Sequence, residues 1–134
     1  MLTDPAGTND VTRDIIGCAI KVHKALGPGL LESAYTPCLA LELIEGAHAV
    51  ELRKPVPLVY RSVTLDVCYW LDMLIDQCVI VELKSVEALA PIHEAQMLTY
   101  LRLTRCPVRL LINFNVPVLK DGIRRLVNPY LEAD

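Results

Sequence analysis

Residues 79–85 read Val-Ile-Val-Glu-Leu-Lys-Ser and residues 71–75 read Leu-Asp-Met-Leu-Ile. Both stretches have the apolar, β-branched character of buried strands, yet both carry charge where a core sheet should be apolar. Burying Asp72, Glu82 or Lys84 is costly unless each charge is paired or bound to a metal. Side chains alternate along a strand, so Glu82 and Lys84 leave one face while Val81 and Leu83 leave the other. Asp72 precedes them across a hairpin turn expected at Asp76-Gln77, and the length of that turn decides whether the two carboxylates meet. A two-residue loop pairs Ile75 with Cys78 and sets Asp72 opposite Val81, on the wrong face. A three- or five-residue connection sets Asp72 directly opposite Glu82, about 5 Å away.

Two carboxylates at that separation can hold Mg²⁺ or Mn²⁺, which prefer oxygen ligands and retain water. A lysine beside them can orient an attacking water or stabilise charge developing on a phosphate, which is the chemistry of metal-assisted phosphodiester cleavage. An edge-strand salt bridge between Lys84 and either carboxylate accounts for the same spacing, and strand geometry alone leaves the two readings even.

Outward from these strands, residues 1–9 read as a loose tail and 10–134 as a single domain. Val11, Ile15, Cys18, Ala19, Val22 and Leu26 recur at helical spacing behind a cap at Asn9 or Asp10, and Gly27-Pro28-Gly29 stops that helix. A second helix is expected from Leu31 to Glu45, with Pro37 near its start. The period then changes. Residues 50–53, 56–60, 63–75 and 78–85 read as four consecutive antiparallel strands. Pro91 suits the first turn of a helix reaching Thr104. Arg109 to Asn115 is a strand buried on both faces, followed by a short element from Lys120 to Val127.

Apolar residues form 53% and charged residues 22% of the 134, which excludes a disordered chain. The net charge of -3 argues against a polybasic nucleic-acid binder, although Arg102, Arg105, Arg109, Lys120, Arg124 and Arg125 could form a modest basic rim. Five cysteines without a CxxC pair read as free thiols in a reducing cytoplasm. The first residues lack the pattern of a signal peptide, and no apolar run approaches the length of a membrane span. The expected location is cytoplasmic, with no membrane partner. The mean hydropathy of +0.37 is high for a small monomer, and with Trp70 in a strand next to the charged residues it points to a two-fold homodimer.

The spacing of Asp72, Glu82 and Lys84 resembles the PD-(D/E)XK nuclease superfamily. More narrowly, Gly29-Leu30-Leu31-Glu32-Ser33-Ala34-Tyr35 resembles the GxxExxY signature of the small family named for it, and the likeness extends over residues 10 to 127. Trp70 and Gln77-Cys78 depart from the family's pattern without touching the E-x-K core. The resemblance implies an α/β (α+β) fold of restriction-endonuclease type, a mixed central sheet flanked by helices, in keeping with the order α-α-β-β-β-β-α-β. It also implies Asp72 and Glu82 as metal ligands, with Glu32 completing the site from the helix before the sheet, and Lys84 as the catalytic lysine. Gln96 and Tyr100 resemble the Q-x3-Y pair that exonuclease-like branches place beside the active site. Tyr35 reads as a packing residue, His93 as a helix cap, and His23 and His48 as surface or turn residues. The implied function is a Mg²⁺- or Mn²⁺-dependent nuclease acting on nucleic acid, DNA ahead of RNA. The alternative is a non-catalytic module of the same fold that binds nucleic acid or a protein.

Overall fold

The computed structural model describes residues 7–131. The expected tail therefore lies outside the described residues except for its last three, and Thr8 and Asn9 are already helical. Three helices, α1 (Thr8–Leu26), α2 (Glu32–Glu45) and α3 (Pro91–Leu103), accompany strands β1 (Val50–Tyr60), β2 (Val63–Ile75), β3 (Val79–Lys84), β4 (Val108–Asn113) and β5 (Ile123–Val127). The sheet order is β1-β2-β3-β4-β5. Only the β3–β4 pair is parallel, because α3 carries the chain back across the sheet between them.

Two corrections to the expected order have simple causes. The stretches 50–53 and 56–60 form one strand rather than two, so three strands precede α3. Pro55 and Pro57 do not interrupt it because β1 is the sheet edge. Both occupy alternate positions opposite Trp70 and Cys68, so their missing N–H groups can face the free edge. The last expected element is a 3-10 turn at Leu119–Gly122 followed by β5. The turn passes so close to β4 that a Cβ on Gly122 would lie 2.3 Å from the carbonyl oxygen of Asn113, which only glycine permits.

Helices α1 and α2 cover one sheet face. Ile15, Ala19, Val22, Tyr35, Leu39 and Leu43 pack there on Met73, Ile75, Val81, Leu83, Leu110 and Ile112. On the other face Leu101 of α3 packs with Leu71, Leu74, Ile80 and Cys106. Strand β4 is buried along its whole length, as its apolar run demands. The five cysteines are free, Cys106 buried and the others half-buried. His23 departs from the surface position expected of it. It is buried and shares a 2.8 Å hydrogen bond with the carbonyl of Val116.

His48, in the turn before β1, joins three parts of the chain. Its Nδ1 lies 2.6 Å from Asp76 in the β2–β3 turn and its Nε2 lies 3.0 Å from Asp14 on α1. The hydrogen bond to Asp76 raises the His48 pKa against a smaller opposing effect of burial. Burial would raise Asp76, but its hydrogen bonds with His48 and the Ala49 N–H outweigh it and hold that carboxyl low. The raised histidine contributes stability that is full below its unfolded value near 6.5 and is lost as pH rises through the folded value. The lowered carboxyl contributes stability present above about pH 4 and lost as pH falls. The latch is therefore strongest between about pH 4 and 6.5. With Asp14 well exposed, the effect should stay below about 1 kcal/mol. Melting temperatures of His48→Gln and wild type should converge as pH is raised above neutrality. A constant gap from pH 5 to pH 9 would exclude a protonated latch.

Candidate active site

The β2–β3 connection has three residues, Asp76 to Cys78, with Asp76 and Gln77 in the left-handed region (φ 51° and 61°). It pairs Ile75 with Val79, Leu74 with Ile80 and Met73 with Val81. This is the odd-length turn that sets Asp72 across from Glu82. The ladder stops at Met73, and beyond it Asp72 Oδ2 accepts the Leu83 N–H at 3.0 Å. A side chain thus replaces the ladder bond where β2 and β3 part. A second irregularity lies on the other side of β2. Arg53 has φ 51°, and Arg53 and Asp72 are the one pair missing from the β1–β2 register between Val50 and Pro57, which is the same on either side of them and shifts only farther along, between Pro57 and Val59. Alternation is broken there too, because Met73 packs under α1 and α2 whereas Leu71 packs under α3.

Glu82, Lys84, Asp72, Glu32, Trp70 and Tyr100 line one cleft of about 320 Å³. The cleft is smaller than a groove of about 480 Å³ between α1 and α2, but it gathers the carboxylates and the lysine. Burial raises the Asp72 pKa, the Leu83 N–H lowers it, and the nearby Glu82 charge raises it further. One oxygen of Glu82 lies 3.2 Å from Lys84 Nζ, and the other accepts a hydrogen bond from Arg109 Nη2. Lys84 is anchored through its backbone, whose carbonyl accepts the Phe114 N–H at 2.9 Å beside the parallel Lys84–Asn113 pair.

Glu32 reaches the cleft because the loop before α2 is fastened twice. The Tyr35 hydroxyl donates to the Gly27 carbonyl at 2.6 Å and accepts the Leu30 N–H at 3.1 Å. Its ring stacks on Phe114 at 4.3 Å, so Tyr35 is the packing residue expected. The Ser85 hydroxyl donates to the Leu30 carbonyl, tying the same loop to the end of the E-x-K strand. Gly29 within it has φ 98°, a conformation that favours glycine.

Tyr100 lines the cleft, but Gln96, one turn earlier on α3, is exposed and is not among the lining residues. The roll of the helix is set by Met97 and Leu101, both fully buried. His93 closes the helix start, its Nδ1 accepting the Ala90 N–H at 2.9 Å.

Arg109 is the residue that sequence reasoning misplaced. It was expected on a basic rim, yet it is 1% exposed, with its guanidinium 4.6 Å from the centre of the Tyr100 ring. A charge inside an otherwise apolar strand is the signal that singled out Glu82, and it applied equally to Arg109. The rest of that rim is partly engaged, Arg102 with the Tyr130 hydroxyl and Arg125 with Asn9.

A family model of the PD-(D/E)XK nuclease superfamily matches residues 9–126. The chain belongs to this superfamily. Three helices around a five-stranded mixed sheet are consistent with the PD-(D/E)XK fold. No match is found among curated proteins or among solved structures. PD-(D/E)XK nucleases typically use divalent metals, and the donor chemistry here suits such an ion. Asp72 and Glu82 offer hard oxygen donors to one cleft, and Mg²⁺ commonly takes one or two carboxylates while keeping several waters. Among the described residues no three histidine, cysteine or acidic side chains close into a metal cage, so Glu32 shares the cleft without completing one. Among the described residues no helix is long and apolar enough to cross a membrane.

Proposed function

We propose that the protein is a Mg²⁺- or Mn²⁺-dependent nuclease that hydrolyses phosphodiester bonds in nucleic acid, DNA ahead of RNA. The observation that carries this reading is that Asp72, Glu82 and Lys84 line one cleft in a chain of the PD-(D/E)XK nuclease superfamily. Asp72 and Glu82 would hold the cation, with Glu32 contributing through water. Bound there, a divalent cation supplies Lewis acidity toward the scissile phosphate and acidifies a water ligand.

The chain's own groups then have separate tasks. Arg109 holds one oxygen of Glu82 and leaves the other toward Lys84 and the cleft. Lys84 brings a positive charge to the position where a phosphate oxygen gains charge, and its ammonium can orient the attacking water. Tyr100 stands at the wall, its ring supported by Tyr69 at 5.4 Å, with its hydroxyl available to a phosphate oxygen. Gln96 enters this scheme only as a contact to substrate outside the cleft.

The test is cleavage of linear duplex DNA, single-stranded DNA and RNA with Mg²⁺ or Mn²⁺ and with EDTA. Cleavage should require the ion. Asp72→Asn, which retains an acceptor for the Leu83 N–H, should lower the rate by about 10²–10³ and weaken Mn²⁺ binding. A folded protein that neither binds Mn²⁺ nor cleaves any of the three would favour the alternative, a non-catalytic module. That alternative draws on one observation: both Glu82 oxygens are already engaged by cations. We place the protein in the cytoplasm, in keeping with its free cysteines. We also place it in a two-fold dimer, for which Val59, Tyr60, Val63 and Val67 on the projecting β1–β2 hairpin offer apolar surface. Light scattering at a mass near 14.9 kDa, unchanged with concentration, would reject the dimer.

A further inference from the structure

Trp70 is the only tryptophan of the chain, and the nuclease chemistry leaves it without a task. It lines the cleft with Asp72, two residues away on the same strand, yet it is 52% exposed. A large indole half in water beside a charged cleft forgoes much of the stabilisation that burial would give it. Nor is it loose, because the Arg53 guanidinium lies 5.3 Å from its ring centre. Arg53 is the residue with φ 51° at the break in the β1–β2 ladder. A bulky residue in that region is strained, and such strain persists where the surroundings impose it, commonly near functional sites. At this one unpaired position of the ladder, Asp72 bonds to the Leu83 N–H and Arg53 sets a cation against Trp70.

A ring with a guanidinium on it and open to a cleft is a stacking platform. From this we infer that Trp70 stacks an unpaired nucleobase, and that the cleft therefore selects nucleic acid with single-stranded character over blunt duplex. The inference rests on the nuclease reading and narrows its substrate class. The argument for an unpaired base is geometric. Inside a duplex both faces of a base are covered by its neighbours, so none is left for the indole. A single strand, a frayed end or an extruded nucleotide exposes one. Such stacking tolerates any base, because every base has a π-face. The cleft lining sets Lys84 against Glu32, Asp72 and Glu82, and Arg109 beneath Glu82 and Arg53 against the indole offset only part of that charge, so binding without a metal rests chiefly on stacking against Trp70.

Because Trp70 is the sole indole, its emission reports the contact directly and independently of cleavage. The experiment titrates the protein in EDTA with a labelled 12-nucleotide single-stranded DNA and with a blunt 12-base-pair duplex, reading label anisotropy and tryptophan emission together. The expected result is tighter binding of the single strand, with quenching of Trp70, and little quenching by the duplex. Trp70→Ala should weaken single-strand binding by about tenfold or more, and Trp70→Phe, which keeps a ring, should restore most of it. Circular dichroism melts of both variants should match wild type, since the side chain is half exposed. Single-strand binding by anisotropy with unchanged Trp70 emission would overturn the stacking role while leaving the nuclease reading intact. Equal quenching and equal affinity for the blunt duplex would overturn the selectivity. Binding of neither probe would overturn this inference; if cleavage in the preceding assay were also absent, the nuclease reading would fall with it.

Discussion

Glu82→Ala is expected to cost about 3–5 kcal/mol of folding stability, whatever it does to catalysis. The reason lies beneath the site. Arg109 is 1% exposed, and its Nε and Nη1 are buried without a hydrogen-bond partner in the described structure. Burial pushes its pKa down, and the Glu82 carboxylate pulls it back up. Glu82 is the acceptor for its remaining donor, while the face of Tyr100 offers only a weaker cation–π contact. Removing the carboxylate would strand a guanidinium in an apolar layer. Urea denaturation should show the loss as a lower midpoint with an unchanged slope. Glu82→Gln, which keeps an acceptor, should lose less. The double variant Glu82→Ala with Arg109→Met should recover most of the loss, because an apolar side chain of similar length removes the orphaned charge together with its partner. A Glu82→Ala protein as stable as wild type would show that Arg109 finds another partner. The practical consequence is that lost activity in Glu82→Ala does not by itself identify a metal ligand.

Lys84→Met should separate chemistry from folding more cleanly. Turnover is expected to fall by about 10²–10⁴, the usual range for a positioned proton-transfer or charge-stabilising group. KM should change little if the ammonium acts mainly in the transition state. Stability should move by less than about 1 kcal/mol. The Lys84 side chain is 24% exposed, methionine preserves most of its apolar stem, and Glu82 retains Arg109. Single-turnover rates beside thermal melts decide it. A variant that keeps full activity would remove Lys84 from the mechanism. A variant that loses stability in proportion to its activity would reduce it to a structural partner of Glu82.

These two variants differ for a reason that was only half legible in the sequence. The alternation of Val-Ile-Val-Glu-Leu-Lys-Ser was enough to place Glu82 and Lys84 on one face, because a strand's period is local. The meeting of Asp72 with Glu82 was not, because turn length and register depend on whether Asp76 and Gln77 take left-handed conformations, which neither residue requires. The prolines of β1 invited a break that the sheet edge made unnecessary. On α3 the Q-x3-Y spacing put Gln96 and Tyr100 together beside the site, but Met97 and Leu101 set a roll that leaves Tyr100 in the cleft and Gln96 in water.

The sequence by itself determined the helices, the strands apart from their joins, and the membership of the E-x-K pair in one strand face. Each is decided by contacts within a few residues or by the cost of burying a pattern. Tertiary structure alone decided that Arg109 lies under Glu82 and that Trp70 stands half exposed against Arg53. Both depend on which element covers a strand. A charged or aromatic side chain is stabilised by different partners in an apolar layer and at a wet edge, and those partners come from distant parts of the chain.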